Sequence, residues 1–123
     1  MKNKKIGVCR GCSFGPVFEN AKKHFFIDED NNNNIRLVKL LKGRIDVAVI
    51  SPGRYALNDI IKKNPKFNKK QFSVLTKPLT YDANYMAFRK SMNRKSFLKN
   101  FNKALKKLKK AGVVARIIKK YSH

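Results

Sequence analysis

Residues 4–24, KKIGVCRGCSFGPVFENAKKH, combine a short apolar run, a glycine turn and the start of a helix. The run from Ile6 to Cys9 suits a buried strand. Ser13 can cap the next helix, and Pro16 is tolerated in that helix's first turn. A strand, a turn and a helix in this order make up the repeating unit of α/β folds, so this stretch decides the predicted fold class.

The same strand-and-helix unit recurs in the following residues. HFFID at 24–28 predicts a second strand, and EDNNNN at 29–34 predicts a polar turn. Apolar residues spaced by three and four from Asn34 predict an amphipathic helix that ends at Gly43. RIDVAVIS at 44–51 is a nearly unbroken apolar run rich in β-branched residues, which is typical of a parallel strand covered on both faces.

The second half of the chain predicts further strands and two terminal helices. RYALNDIIKKN at 54–64 predicts a helix, while QFSVLTKPL at 71–79 and NYMAFRK at 84–90 predict strands. The apolar stripe of residues 97–121 is interrupted at Gly112 and predicts two helices. The resulting order, βαβαβαββαα, predicts an α/β fold with a mainly parallel sheet and flanking helices.

Charge sets the two halves apart. The 123 residues include 30 Lys and Arg against 7 Asp and Glu, a net charge of +23, and thirteen of the basic residues fall in 89–120. We therefore predict an α/β domain over 1–88 and basic C-terminal helices over 89–123. A surplus of this size favours an anionic neighbour such as nucleic acid, an anionic membrane or an acidic protein, although exposed lysines also simply solvate a surface.

Residues with catalytic or metal-binding chemistry are scarce. Cys9 and Cys12 form a C-x-x-C pair that suits a redox pair, half of a zinc site or two small core residues, and we favour Cys9 as a buried strand residue. His24 and His123 stand apart from any partner motif, so we expect no metal site, no cofactor and no enzyme activity.

Two groups of acidic residues are expected to be structural. Asp46 lies inside the third predicted strand, where a hydrogen bond to Arg44 or a neighbouring loop is favoured over catalysis. Residues 28–30, Asp-Glu-Asp, are expected to form a solvated acidic turn.

Three segments together carry a resemblance to a known family. They are residues 4–24, the block LLKGRIDVAVIS at 40–51, and a C-terminal segment within 85–121. The C-terminal segment contains, in order, Ala-Phe-Arg-Lys, Phe-Asn-Lys-Ala-Leu, a glycine and Lys-Lys-Tyr. From about Lys4 to Tyr121 the chain resembles the periplasmic solute-binding proteins of ABC transporters, polar amino-acid class.

The resemblance implies a type II periplasmic-binding-protein lobe and a transport function. The chain would begin at the second lobe and include the C-terminal return to the first, as a truncated or divergent member without the first half of lobe one. Its site would use the backbone N–H groups of Gly11, Cys12, Ser13 and Phe14 for the carboxylate of an amino-acid ligand. Ser51 stands where the family has an acid for the ligand's ammonium, so amino-acid binding is expected to be weak or lost.

Partners and location follow from the same resemblance. It implies the membrane subunits of an ABC transporter and the periplasm, although the apolar run 6–9 is too short for a secretion signal and leaves the cytoplasm open. The apolar stripe of the terminal helices predicts a homodimer, formed by exchange across KPLTYDANY at 77–85. The alternative function is a basic interaction module for nucleic acid or an anionic membrane surface. Nucleic acid is disfavoured because aromatic residues are not interleaved with the lysines.

Overall fold

A computed structural model describes residues 3–81 and 85–121 of the chain, which divides into two compact units, 1–81 and 82–123. We call them the sheet unit and the helical unit. The sheet unit contains, in chain order, β1 (Lys5–Cys9), α1 (Pro16–Ala21), β2 (Phe26–Asp30), α2 (Asn33–Leu41), β3 (Val47–Ala48) and α3 (Arg54–Lys63). The helical unit contains α4 (Lys95–Lys110) and α5 (Val113–Tyr121). Short 3-10 turns cover Lys22–His24, Lys69–Gln71 and Lys90–Met92.

The strands of the described residues form one parallel sheet in the order β2-β1-β3. Lys5 pairs with Phe26 and Cys9 with Asp30 on one side of β1, while Ile6 pairs with Val47 on the other side. The predicted α/β class with a parallel sheet is therefore confirmed.

The central strand β1 has a buried face on each side. Ile6 and Val8 pack with Phe14 and Phe18 in one cluster. Gly7 faces the other side, where a Cβ atom would lie 3.0 Å from Cγ of Arg36. Because β1 is covered on both faces, its apolar run is continuous instead of alternating with polar residues.

Two predicted strands are wrong, and the strand predicted over 44–51 is limited to Val47–Ala48, so that Asp46 lies just before it. Residues 72–79 and 85–89 are not strands, and Asn84, which begins the second predicted strand, lies outside the described residues. Leu75 and Leu79 are exposed, and Pro78 supplies no backbone donor for a ladder. An extended segment becomes a strand only where a neighbouring strand offers hydrogen bonds, and none of the described strands pairs with these residues.

The acidic stretch 28–30 also differs from the prediction. It lies within β2, which begins two residues later than predicted, and Asp30 is buried instead of solvated. Asp46 has the predicted structural role with a different partner, since its Oδ2 accepts a hydrogen bond from the Lys5 N–H at 2.8 Å.

The helical unit has the two predicted helices, separated near Gly112, whose φ of +70° suits glycine. Phe88 and Phe97 meet edge to face at 5.4 Å, and Phe97 stacks on Phe101 at 6.4 Å. Among the residues that the structure describes, no helix is long and apolar enough to cross a bilayer.

Candidate functional site

The candidate site is the edge of the sheet where β1 and β3 end, which we call the carboxyl edge. The chain leaves β1 towards β2, and α2 then carries it back across β1 to β3. The two strands next to each other at this reversal are parallel, so the loops that follow them, 10–15 and 49–53, lie at the same edge. Ligands of open α/β sheets bind at such a reversal, outside the carboxyl ends of the strands.

Loop 10–15 is shaped by glycines and a disulfide bond. Gly11 and Gly15 have φ values of +71° and +83°, which residues with a side chain rarely adopt. Cys9 and Cys12 are joined by a disulfide with their Cα atoms 5.4 Å apart, and the Cys12 N–H donates to the Cys9 carbonyl at 3.2 Å. Cys9 is the last residue of β1 and is half-buried.

Phe14 lies in this loop, but its ring belongs to the core. The side chain is buried and meets Phe18 edge to face at 5.4 Å. Its backbone N–H donates to Oε1 of Glu19 at 3.4 Å. Two of the four amides that were predicted to meet a ligand, those of Cys12 and Phe14, thus have acceptors within the chain.

Glu19 places an internal carboxylate beside this turn. Its pKa is lowered chiefly by the hydrogen bond with Lys22, whose Nζ lies 2.9 Å from Oε2. The Phe14 N–H and a hydrogen bond from the Ser13 side chain lower the pKa further. The Phe14 amide, one of the predicted ligand contacts, is therefore engaged by a carboxylate of the same chain.

Loop 49–53 leads directly into the first turn of α3. Ser51 is exposed, and its carbonyl accepts a hydrogen bond from Nδ2 of Asn33 at 2.9 Å. Gly53, with a φ of +83°, is the N-cap of the ten-residue helix α3, and no side chain caps the helix. The first amides of such a helix have no intrahelical acceptors and carry a partial positive charge.

Two arginines add full charges to this edge. Arg10 follows β1 and Arg54 is the first residue of α3, and both are exposed. Neither residue belongs to the site predicted from the sequence. A signal was available, because one arginine opens RGCSFG and the other closes SPGR.

A buried arginine joins the ends of two strands at this edge. Arg36 is 1% exposed, and its Nη1 donates to the Val49 carbonyl at 2.6 Å and to Oδ1 of Asn33 at 2.9 Å. Its Nη2 donates to Oδ1 of Asp30 at 2.6 Å. Arg36 thereby links the end of β2 to the residue after β3, and Gly7 leaves space for its aliphatic stem.

A lysine completes this charge network. Nζ of Lys39 lies 3.6 Å from Oδ2 of Asp30 and donates to Asp28. The hydrogen bond to Asp28 is the main cause of the raised pKa of Lys39. The buried carboxylate of Asp30 thus has a hydrogen-bonded cation at Oδ1 and a second cation near Oδ2, which itself accepts no hydrogen bond.

A separate depression of about 260 Å³ lies at the opposite edge of the sheet, beside the start of β2. It is lined by Asn3, Lys23, His24, Phe25 and Phe26. Within residues 3–81 and 85–121, no three His, Cys, Asp or Glu side chains are grouped so that they could hold a metal ion.

No family model, no curated protein and no solved structure matches this chain.

Proposed function

We propose that the sheet unit is one lobe of a transport-type solute-binding protein, which binds a small carboxylate-bearing solute such as an amino acid and does not catalyse a reaction. The observation that carries the proposal is the pairing of β1 with β3, which brings loops 10–15 and 49–53 together at one edge. The resemblance of residues 4–121 to periplasmic solute-binding proteins agrees with this arrangement.

The chemistry of the edge favours an anion. The uncapped first turn of α3 offers backbone N–H groups, and Arg10 and Arg54 lie on the two loops. A carboxylate gains charge-assisted hydrogen bonds from donors of both kinds. The first turn of α3 is the main contact in this proposal, because the Phe14 N–H is already engaged by Glu19.

The same edge is poorly suited to an ammonium group. Ser51 has no charge, and its carbonyl is shared with Asn33. Recognition would therefore depend on the carboxylate more than on the amino group, so simple carboxylates should compete with amino acids.

One edge of a single lobe covers only part of a small ligand, whereas a good pocket buries most of it. We therefore expect weak binding, with a Kd on the order of 1 mM. By the resemblance, a second lobe and the membrane subunits of an ABC transporter would be the partners.

The test is a titration of the full chain with glutamine, glutamate, succinate and the carboxylate-free diamine putrescine, followed by NMR chemical shifts at about 0.15 M salt. The carboxylates should shift the amides of residues 54–56 and putrescine should not. Arg54→Gln should weaken binding about tenfold, equal to about 1.4 kcal/mol.

Arg94→Gln is the matched control, since it removes the same charge from an exposed arginine of the helical unit. Equal weakening by both variants would show that the net charge of +23 attracts anions without a site. Shifts confined to other residues would also contradict the proposed site.

A further inference from the structure

The helical unit is uniformly basic on one side of each helix. Residues 85–121 contain no Asp or Glu. Their basic residues are Arg89, Lys90, Arg94, Lys95, Lys99, Lys103, Lys106, Lys107, Lys109, Lys110, Arg116, Lys119 and Lys120. Residues 85–121 thus carry thirteen positive charges and no negative ones, which favours an anionic partner.

The opposite sides of α4 and α5 are apolar. In α4 the apolar residues recur at helical spacing, and in α5 they do the same. They are Phe97, Leu98, Phe101, Ala104, Leu105 and Leu108 in α4, and Val113, Val114, Ile117, Ile118 and Tyr121 in α5. We call these eleven side chains the apolar face.

Six of the eleven side chains of the apolar face are exposed, and the other five are half-buried. Among residues 85–121 none is buried, and Leu108, Ile117 and Tyr121 are 46%, 54% and 63% exposed. A helix pair without buried residues gains little from its own packing, and short isolated helices are marginal in water. The face therefore needs a partner that is apolar as well as anionic.

We propose that the helical unit binds the surface of an anionic lipid bilayer, with α4 and α5 lying in the plane of the interface. The apolar face enters the acyl boundary, and the lysines meet anionic headgroups. Lysine stems extend to the headgroups from beside the apolar face. This inference is independent of the solute-binding proposal.

Nucleic acid and a second copy of this chain fit the helical unit less well than a bilayer does. Nucleic acid would match the charge, but it leaves aliphatic residues such as Leu108 and Ile117 exposed to water. A second copy would cover the apolar face, but it would bring thirteen more positive charges with no carboxylate among residues 85–121 to pair with them.

Vesicle sedimentation with the full chain tests the proposal. Phosphatidylcholine vesicles that contain one quarter phosphatidylglycerol should bind at least about tenfold more tightly than pure phosphatidylcholine vesicles at about 0.1 M NaCl. Binding should weaken as NaCl is raised, because the headgroup attraction is screened.

Two pairs of variants separate the two sides of the helices. Lys103→Gln with Lys107→Gln should weaken binding to anionic vesicles several-fold, whereas Lys69→Gln with Lys70→Gln, the same charge change on an exposed turn of the sheet unit, should not. Leu105→Gln with Leu108→Gln should also weaken binding, and Asn100→Gln with Asn102→Gln should leave it unchanged.

Insertion has its own readout, because the chain contains no tryptophan. Ile117→Trp should show a blue-shifted emission on anionic vesicles, and Ser96→Trp, at an exposed position of α4 opposite the apolar face, should not. This measurement does not require the lysine or leucine variants to fold.

Three outcomes would overturn the proposal. One is equal binding to neutral and anionic vesicles. Another is binding to a DNA or RNA oligonucleotide with no binding to vesicles. The last is a dimer in light scattering that Leu105→Gln with Leu108→Gln dissociates, again without vesicle binding.

Discussion

Arg36 shows what a single residue does for this fold. Its guanidinium links Asp30, Asn33 and the Val49 carbonyl across the central strand, and it is nearly inaccessible to water. Removing one partner of a buried ion pair costs more than the pair contributes, because the remaining charge is left without compensation. Because breaking the hydrogen bonds of Arg36 costs free energy, the network holds the carboxyl edge in one geometry.

Arg36→Met should lower the free energy of unfolding by about 3–5 kcal/mol, because the Asp30 carboxylate would lose its closest cation. Adding Asp30→Asn should restore part of this loss by removing the stranded charge. Urea denaturation measures both changes. Lys63→Met is the control, since it breaks the exposed pair with Asp59 and should have little effect.

If Arg36→Met and Lys63→Met changed stability equally, the burial of the Asp30 pair would be contradicted. Equal stability of Arg36→Met and the double variant would instead contradict the coupling between Arg36 and Asp30.

Asp46 gives the protein an acid-sensitive contact. Its pKa lies below the usual value of 3.8, first because the Lys5 N–H donates to the carboxylate and then because Lys4 is near. Since the folded pKa is lower than the unfolded one, this contact stabilises the fold above about pH 3.8 and is lost as the pH falls through the folded pKa.

Asp46→Asn should therefore have a lower free energy of unfolding than the wild type at pH 6. As the solution is acidified towards pH 3, the free energy of unfolding should fall less in this variant than in the wild type. Urea denaturation at each pH gives the comparison. Parallel curves for the two proteins would contradict the pKa shift of Asp46.

At the level of elements, the local sequence pattern predicts that α2 is a helix, and tertiary contacts determine which of its residues are buried. Apolar spacing predicted the helix, which occupies Asn33–Leu41. Spacing did not indicate that Leu37 and Arg36 are buried while Val38 is partly exposed, since that depends on where α2 crosses β1 and β3.

The run of four asparagines, 31–34, contains one N-cap. Oδ1 of Asn32 accepts a hydrogen bond from the Ile35 N–H at 2.9 Å. Asn32→Ala should lower the free energy of unfolding by about 1 kcal/mol, because that amide loses its acceptor. Thermal or urea denaturation measures the change.

Asn34→Ala is the matched control, since Asn34 lies inside the first turn of α2 and is exposed. Alanine is a better helix former, so this variant should be neutral or slightly more stable. A larger loss of stability in Asn34→Ala than in Asn32→Ala would contradict Asn32 as the N-cap of α2.

For the whole molecule, the net positive charge is the main electrostatic factor that opposes folding. A net charge of +23 on 123 residues opposes any compact state through self-repulsion. The described ion pairs are few: those of Lys4 with Asp46 and Lys63 with Asp59 are exposed, that of Arg36 with Asp30 is buried, and the others are partly buried. Screening should therefore weaken repulsion more than it weakens attraction.

We expect the melting temperature to rise by several degrees as NaCl increases from about 0.02 M to about 0.3 M, because the Debye length falls below 10 Å over that range. Calorimetry or fluorimetry with a dye measures the shift. A melting temperature that falls with salt would mean that the ion pairs outweigh the repulsion.

The sequence by itself determined the local elements and the charge. Gly11, Pro16 and the apolar run from Ile6 predicted the strand-turn-helix unit, and the periodicity of 97–121 with its break at Gly112 predicted the terminal helices. These features depend on neighbouring residues along the chain, so a local pattern is sufficient to predict them.

Only the tertiary structure decided the strand order, the loss of the strand predicted at 71–79, and the burial of Asp30 with Arg36. It also placed the Phe14 ring in the core and brought Arg10 and Arg54 to one edge. Strand pairing and burial join residues that are far apart in the chain, so the free energy that selects them is set by partners that no local window contains.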